Sequence, residues 1–287
     1  MKKFKIKSFC KINLNLRILK KLNNGHHNIK SLITFCDLHD VISISQILKN
    51  RDVITFSGKF KSKINIKSNT VQKTLYLLRK RNLLKKNNFR INVQKNIPHG
   101  SGLGGGSSNA ANLINFLNLK MKLKLNKNQA GKIARKIGFD VPINLEKKNT
   151  LLTGNMDQII RVKRRFNLNI LIVYPNIVCS TKMIYLANKT IEPTKPQDKF
   201  KKQSRKKLIS YLKNERNDLQ KTVFKLYPKV KEVIKFISIQ NGCNFARITG
   251  SGSACIGIFS NMKSAIHAKK LVKIKFPKYW CVVSKTI

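Results

Sequence analysis

Between Pro98 and Ser108 the chain reads Pro98-His99-Gly100-Ser101-Gly102-Leu103-Gly104-Gly105-Gly106-Ser107-Ser108, and five of its 14 glycines fall in that window. Glycines lack side-chain bulk, so successive backbone N–H groups can converge on one anion. Ser107 and Ser108 stand where a helix begins, and a helix start adds unpaired donors and the positive end of its dipole. The chemistry that this composition serves is phosphate binding. A linker would carry similar glycines, but patterned elements flank these. Phe89, Ile91 and Val93 alternate with Arg90, Asn92 and Gln94 in a strand pattern ahead of the loop. Behind it, Ala110, Ala111, Leu113, Ile114, Phe116 and Leu117 share one side of a helix.

Two familiar phosphate loops do not fit. One ends in Gly-Lys-Ser/Thr, and no lysine occurs between Lys95 and Lys120. The dinucleotide fingerprint is literally met by Gly100, Gly102 and Gly105, but it needs an acid about 20 residues further on for the ribose. No acid lies between Asp52 and Asp140, which argues against a nicotinamide or flavin enzyme. The same scarcity singles out Asp140. It is the only acid from Val53 to Leu145, in a chain with 11 acidic residues against 60 basic ones. Pro142 disfavours helical geometry at Val141, so Asp140 is expected in a rigid connector.

The elements that must position these groups alternate between strand and helix. Strands are expected over Phe4 to Leu19, over Ile29 to Ile47 with a break at His39-Asp40, and over Val53 to Phe56. Helices are expected at Val71 to Arg81 and Gln129 to Ile137, the latter ended by Gly138. Beyond residue 155 a second unit is expected, opening on a strand at Leu168 to Tyr174. Lys195 to Lys207 reads as a solvated loop, followed by helices at Leu208–Leu212 and Lys229–Ser238. Phe245–Ile248 and Ala254–Phe259 read as paired strands around Gly250-Ser251-Gly252, before a helix at Ser264–Ile274 and a last strand at Tyr279–Ser284. The pattern is a compact α+β fold.

Composition bounds the rest. A chain of 287 residues with 41% hydrophobic content can bury a sizeable core. No apolar run approaches the roughly 18 residues of a membrane span. The formal charge of +49 would ordinarily suggest a nucleic-acid partner. Here, however, the lysines are spread along the chain, and asparagine and isoleucine are also heavily used. That pattern reads as compositional drift, with incidental nucleic-acid binding at low salt. Cysteines 10, 36, 179, 243, 255 and 281 form no C-x-x-C pair and no metal-ligand cluster with the histidines, so reduced thiols are expected.

Pro98 with Gly102-Leu103-Gly104, then Ser107-Ser108 and the alanines, resembles the phosphate loop of the GHMP small-molecule kinases. The longer form Gly102 to Ala111 is similar to one branch of that family, which serves non-mevalonate isoprenoid precursor biosynthesis. Further blocks carry the resemblance along most of the chain: Lys11-Ile12-Asn13-Leu14, with Cys10 in place of an alanine; Gly25-His26-His27, with His26 in place of a tyrosine; Gly138 to Pro142; Asn217-Asp218-Leu219; and Thr249 to Ala254. Phe139 and Asn144 depart from the common pattern.

The resemblance implies a GHMP kinase architecture in two parts. Residues 1–155 would form a ribosomal-protein-S5-domain-2-like domain with the phosphate loop, and residues 156–287 a ferredoxin-like α+β domain. It implies transfer of the ATP γ-phosphate to the 2-hydroxyl of a cytidine diphosphate sugar-alcohol. Asp140 would be the base and Lys11 its catalytic partner. Pro98, His99, Gly100, Ser101, Gly102, Leu103, Gly104, Gly105, Gly106, Ser107, Ser108 and Asn69 would bind ATP. Asn13, His26, His27, Thr181, Thr249, Gly250 and Ser251 would bind the acceptor, with Ser180 beside Thr181 near the nucleotide ribose. Mg2+ is expected to ride mainly on the nucleotide, with Ser108 as a further contact and no protein-held metal. The expected partners are small molecules, with no specific nucleic acid, no membrane, and a monomer or homodimer in the cytoplasm. No cleaved leader is expected, because the Lys11 block already resembles functional sequence. Two readings stay open beside this one: another GHMP kinase, of homoserine or mevalonate type, and a basic nucleic-acid-binding protein on a kinase fold.

Overall fold

A computed structural model of the chain describes residues 2–23, 27–65, 68–154, 158–189, 191 and 204–287. Its strands are β1 (Phe4–Asn13), β2 (Arg17–Lys21), β3 (His27–Ile47), β4 (Val53–Ser57), β5 (Asn88–Gln94), β6 (Thr150–Thr153), β7 (Gln158–Arg161), β8 (Asn169–Tyr174), β9 (Cys243–Ile248), β10 (Cys255–Phe259) and β11 (Trp280–Lys285). Its helices are α1 (Thr70–Arg79), α2 (Gly105–Lys120), α3 (Lys127–Ile137), α4 (Thr181–Ala187), α5 (Arg205–Asn214), α6 (Gln220–Leu226), α7 (Pro228–Ser238) and α8 (Met262–Lys275). The α+β class expected from the sequence is the one observed.

Packing divides the chain into two units that interleave in sequence, unlike a single cut at residue 155. The first holds residues 1–11, 38–99 and 104–147; the second holds 12–37, 100–103 and 148–287. In the first unit the end of β3 pairs antiparallel with β5, from Val41↔Gln94 to Ile47↔Asn88, and β4 pairs parallel with β5. The inward residues Ile42, Ile44, Phe89, Ile91 and Val93 are buried with Val71, Leu75 and Leu78 of α1. Ala110, Ala111, Leu113, Ile114 and Leu117 of α2 and Ile133 and Ala134 of α3 complete this core. The two alanines let α2 sit close to its neighbours just after the loop. Asn126 caps α3 in a reciprocal box with Gln129, and α3 ends at Gly138.

In the second unit a four-stranded antiparallel sheet runs in the order β11-β8-β10-β9. Strand β8, buried along Ile170 to Tyr174, is central, as its continuous apolar run requires. The start of β3 pairs with β2 and with β6.

Two expectations need correction. Strand β3 is unbroken at His39-Asp40 because the Asp40 carboxylate is absorbed by a set of buried donors, described below. Residues 205–207 belong to α5, whose N-terminus is capped by the Ser204 hydroxyl, and not to a loop. The remainder of that expected loop, residues 195–203, lies outside the described residues. Among the described residues no helix is long and apolar enough to cross a membrane.

Candidate active site

In the first unit the loop delivers an anion cradle. Gly104 adopts φ +69°, the left-handed conformation that glycine takes without penalty, and α2 begins at the next residue. The first intrahelical bond runs from Ser108 N–H to Gly104 O at 2.9 Å. The amides of Gly105, Gly106 and Ser107 precede it and have no acceptor within the helix, so they are free for a ligand oxygen. Thr70 Oγ1, in the first turn of α1, donates to Gly106 O at 2.8 Å and fixes this turn from one side.

Lys11 and Asp140 meet beside this turn. Lys11 is 4% exposed, and its Nζ lies 3.2 Å from Asp140 Oδ2. Its stem passes over Gly104, where an added Cβ would stand 2.7 Å from Lys11 Cγ. Asp140 lies in the connector between α3 and a short helical turn at Pro142–Leu145, but Val141 is itself helical (φ −65°, ψ −43°), against the extended geometry expected before Pro142. The backbone turns there from Gly138 O to Val141 N–H at 3.1 Å, and Asn144 Nδ2 donates to Asp140 O at 2.7 Å. Asn115 of α2 donates to Leu145 O at 2.8 Å, so the connector is tied to the helix that carries the cradle. The carboxylate keeps 29% of its side-chain exposure, enough to meet a substrate hydroxyl.

Not every expected residue is so placed. Ser108 is 1% exposed, and its hydroxyl accepts from Ser8 Oγ at 3.0 Å and from Asn112 Nδ2 at 3.3 Å. Its hydroxyl is therefore engaged on the inner face of α2. Asn69 is the N-cap of α1, with its Oδ1 accepting from Val71 N at 3.1 Å and Gln72 N at 3.0 Å. Among the described residues no group of three or more His, Cys, Asp or Glu side chains could hold a metal ion.

The second unit brings together another part of the expected set. Gly102, at φ +81°, lies so close to the 249–252 turn that a Cβ would stand 2.2 Å from Thr249 O. Ala254 N–H donates to Ser101 O at 3.0 Å, and Cys179 N–H to Gly100 O at 3.2 Å. Asn13 N–H donates to Thr249 Oγ1 at 2.9 Å, while its Nδ2 donates to Ser31 Oγ at 2.8 Å. The Thr181 and Ser251 hydroxyls share a hydrogen bond of 2.9 Å. Ser180 is the N-cap of α4. Gly250 is bound through its carbonyl by Asn217 Nδ2 at 2.8 Å, and Asn217 also donates to Ile248 O at 3.2 Å. His27 opens β3 and its ring lies 5.2 Å from that of Tyr185, a residue that sequence reasoning missed. His26 lies outside the described residues.

Burial shifts the proton affinities of Tyr174, Cys179, Arg247 and Cys255 in this unit. Burial pushes the Cys179 thiol up to about 11. Burial also lowers the Arg247 guanidinium to about 10, with Glu215 opposing the shift. Arg247 is held by Leu14 O at 3.0 Å and Leu212 O at 2.6 Å, and it lies 4.2 Å from the Phe245 ring centre.

Comparison with known proteins gives these parts a common source. The family model described as GHMP kinases N terminal domain matches residues 69–146, and that described as GHMP kinases C terminal matches residues 197–278. A crystal structure of 4-(cytidine 5'-diphospho)-2C-methyl-D-erythritol kinase superposes with a TM-score of 0.75 at 21% identity, covering 98% of this chain and 99% of its own. Homoserine kinase from Cytophaga hutchinsonii superposes with a TM-score of 0.74 at 15% identity, covering 100% of this chain and 95% of its own. The fold is that of the GHMP kinases, and at these identities it does not choose an acceptor. In sequence, the 4-diphosphocytidyl-2-C-methyl-D-erythritol kinase of Pelagibacter ubique (strain HTCC1062) is 40% identical over 289 residues, covering 100% of both chains. This chain belongs to the 4-diphosphocytidyl-2-C-methyl-D-erythritol kinase family.

Proposed function

We propose that the chain transfers the γ-phosphate of ATP to the 2-hydroxyl of 4-diphosphocytidyl-2-C-methyl-D-erythritol, releasing ADP, in non-mevalonate isoprenoid precursor biosynthesis. The observation that carries the chemistry is the Lys11–Asp140 pair, 3.2 Å apart, set against a helix start with three free amides. Mere anion binding has no need of a carboxylate beside the cradle. Phosphoryl transfer to an alcohol does.

In this reading the amides of Gly105, Gly106 and Ser107 hold the transferring end of ATP, with the remaining residues from Pro98 to Ser108 shaping the loop. Asp140 takes the proton of the acceptor hydroxyl as its oxygen bonds to the γ-phosphorus and the bond to ADP breaks. Lys11 holds the carboxylate in place and offsets charge on the transferred group. Mg2+ on the nucleotide neutralises its phosphate charge. Asn13, Thr249, Gly250, Ser251 and Thr181 are assigned to the acceptor, and the half-buried ring of Tyr185, tilted 42° to that of the buried His27, is assigned to its pyrimidine. Residues 1–155 supply the donor clamp and the catalytic pair, and residues 156–287 most of the acceptor contacts. We place the activity in the cytoplasm, where ATP is held; five buried free cysteines suit that reducing compartment.

The test is ADP release from Mg-ATP with 4-diphosphocytidyl-2-C-methyl-D-erythritol, beside homoserine, mevalonate and an Asp140→Asn control. Turnover with the cytidine compound alone, lost in the variant, is expected. Turnover with another alcohol in its place sinks the substrate assignment.

A further inference from the structure

We propose that the buried pair Asp40–Lys95 is a positioning device for the phosphate loop, setting the free amides at the start of α2; the proposal rests on the kinase reading above. Asp40 is fully buried, and its two oxygens meet four donors. Oδ1 accepts from the backbone N–H of Asn96 at 2.8 Å and of Ile97 at 2.9 Å, the residues that lead into Pro98. Oδ2 accepts from Asn109 Nδ2 at 2.9 Å and from Lys95 Nζ. Asn109 lies one turn inside α2. One carboxylate therefore grips the chain on both sides of the loop.

Lys95 adds a second constraint. It is 4% exposed, and its ammonium nitrogen stands 3.2 Å from where Gly105 would carry a Cβ. The ammonium thus packs against the first residue of α2, beneath the turn whose amides are free. A cation at the positive end of a helix is unfavourable on its own, and Asp40 offsets it. Stability is a weak explanation for such a pair, since a buried ion pair replaced by apolar side chains is often no loss. Asn109 points the same way. Its Oδ1 is buried with no hydrogen-bond partner, a cost borne while its Nδ2 reaches Asp40. What the arrangement secures is the separation of the two loop arms.

The experiment compares ADP and AMP affinity by titration calorimetry in the wild type, Asp40→Asn, Lys95→Met and Asn109→Ala, with thermal melts alongside. The β-phosphate makes the difference between the two ligands. In Asn109→Ala and Asp40→Asn, ADP affinity is expected to fall about tenfold or more while AMP affinity stays within about twofold. The KM for ATP should rise more than kcat falls. Asn109→Ala loses one arm only, so it decides the matter if Asp40→Asn does not fold. An ADP-to-AMP ratio unchanged in Asn109→Ala, whatever happens to its melting temperature, overturns the proposal. A wild type that binds ADP no better than AMP removes the kinase reading itself, and this inference with it.

Discussion

The stem of Lys11 lies across Gly104: a Cβ added there would stand 2.7 Å from Lys11 Cγ and 3.0 Å from Cε. One glycine thus serves two ends. It takes the left-handed turn into α2, and it leaves room for the lysine to reach Asp140. Gly104→Ala should push Lys11 off its path as well as strain the turn. A misplacement of this order costs roughly 10²-fold in rate, whereas the strain alone costs about 1–2 kcal/mol of stability. The expected outcome is a kcat reduced by about two orders of magnitude with a melting temperature lowered by only a few degrees. A fall in kcat no greater than that of Gly131→Ala, where an added Cβ meets nothing within 4 Å, would show that the Lys11 path tolerates the methyl.

Asp140→Asn keeps the shape of the connector and removes the proposed proton acceptor. A general base contributes about 10²–10⁴-fold, so kcat should fall by that range while ADP binding persists. Lys11→Met should fall similarly. Because the two act as one unit, the double variant should be scarcely slower than either single one. Steady-state kinetics on the three variants checks this, and multiplicative losses would mean that the residues work independently.

The loop, α2 and the Asp140 connector were legible in the sequence for physical reasons. A cluster of glycines between a period-two and a helical pattern has few other uses, and one acid in a long acid-free stretch stands out. What sequence could not give were partners distant along the chain. Asp40 in an apolar run reads as a strand break; its bonds to Asn96, Ile97 and Asn109, 56, 57 and 69 residues away, are what let β3 continue. Helix α4 was missed because it is short and leaves Met183 and Leu186 exposed, so it shows little apolar periodicity, and Tyr185 was missed with it. The composition did hold a usable signal. In a chain that has kept few acids, Asp40, Asp52, Asp140, Glu215 and Asp218 all accept ion pairs from basic side chains.

Asn217 braces the 249–252 turn with both of its amide hydrogens. Its Nδ2 donates to Ile248 O and Gly250 O, and its Oδ1 accepts from Leu219 N–H at 3.0 Å. Asn217→Ala leaves those buried groups unpaired, at a cost of about 1–3 kcal/mol. Chemical denaturation should show that loss. The KM for the cytidine substrate should rise more than that for ATP; equal changes would place the turn outside acceptor binding.

Alkaline pH should unfold the protein through its thiols. Burial raises Cys179 and Cys243 to about 11 from an ordinary 9, and Cys255 higher still. A group whose folded value is raised contributes stability that is full below its unfolded value and lost as pH climbs through the folded one. For Cys179 and Cys243 that window runs from 9 to about 11. Arg247, lowered to about 10 from 12.5, acts oppositely: its burial cost is relieved only between those values. Three thiols outweigh one guanidinium, so urea midpoints should decline from pH 9 upward. Midpoints flat to pH 11 would contradict the burial of these thiols.

Salt should raise stability and spare nucleotide binding. With a net charge of +49, exposed lysines repel one another at every separation within the Debye length, about 10 Å at 0.1 M salt. Melting temperature should therefore climb between low and moderate salt, more steeply than for a protein of balanced charge. Nonspecific affinity for nucleic acid should collapse over the same range, since each released counterion steepens the dependence. In the proposed reading ATP is held differently, since backbone amides at the start of α2 and a Lys11 that is 4% exposed are poorly screened. Calorimetric ATP affinity should consequently fall far less than affinity for a DNA duplex measured in the same buffers. Parallel loss of the two would return the chain to the reading in which its charge, and not its loop, is what binds.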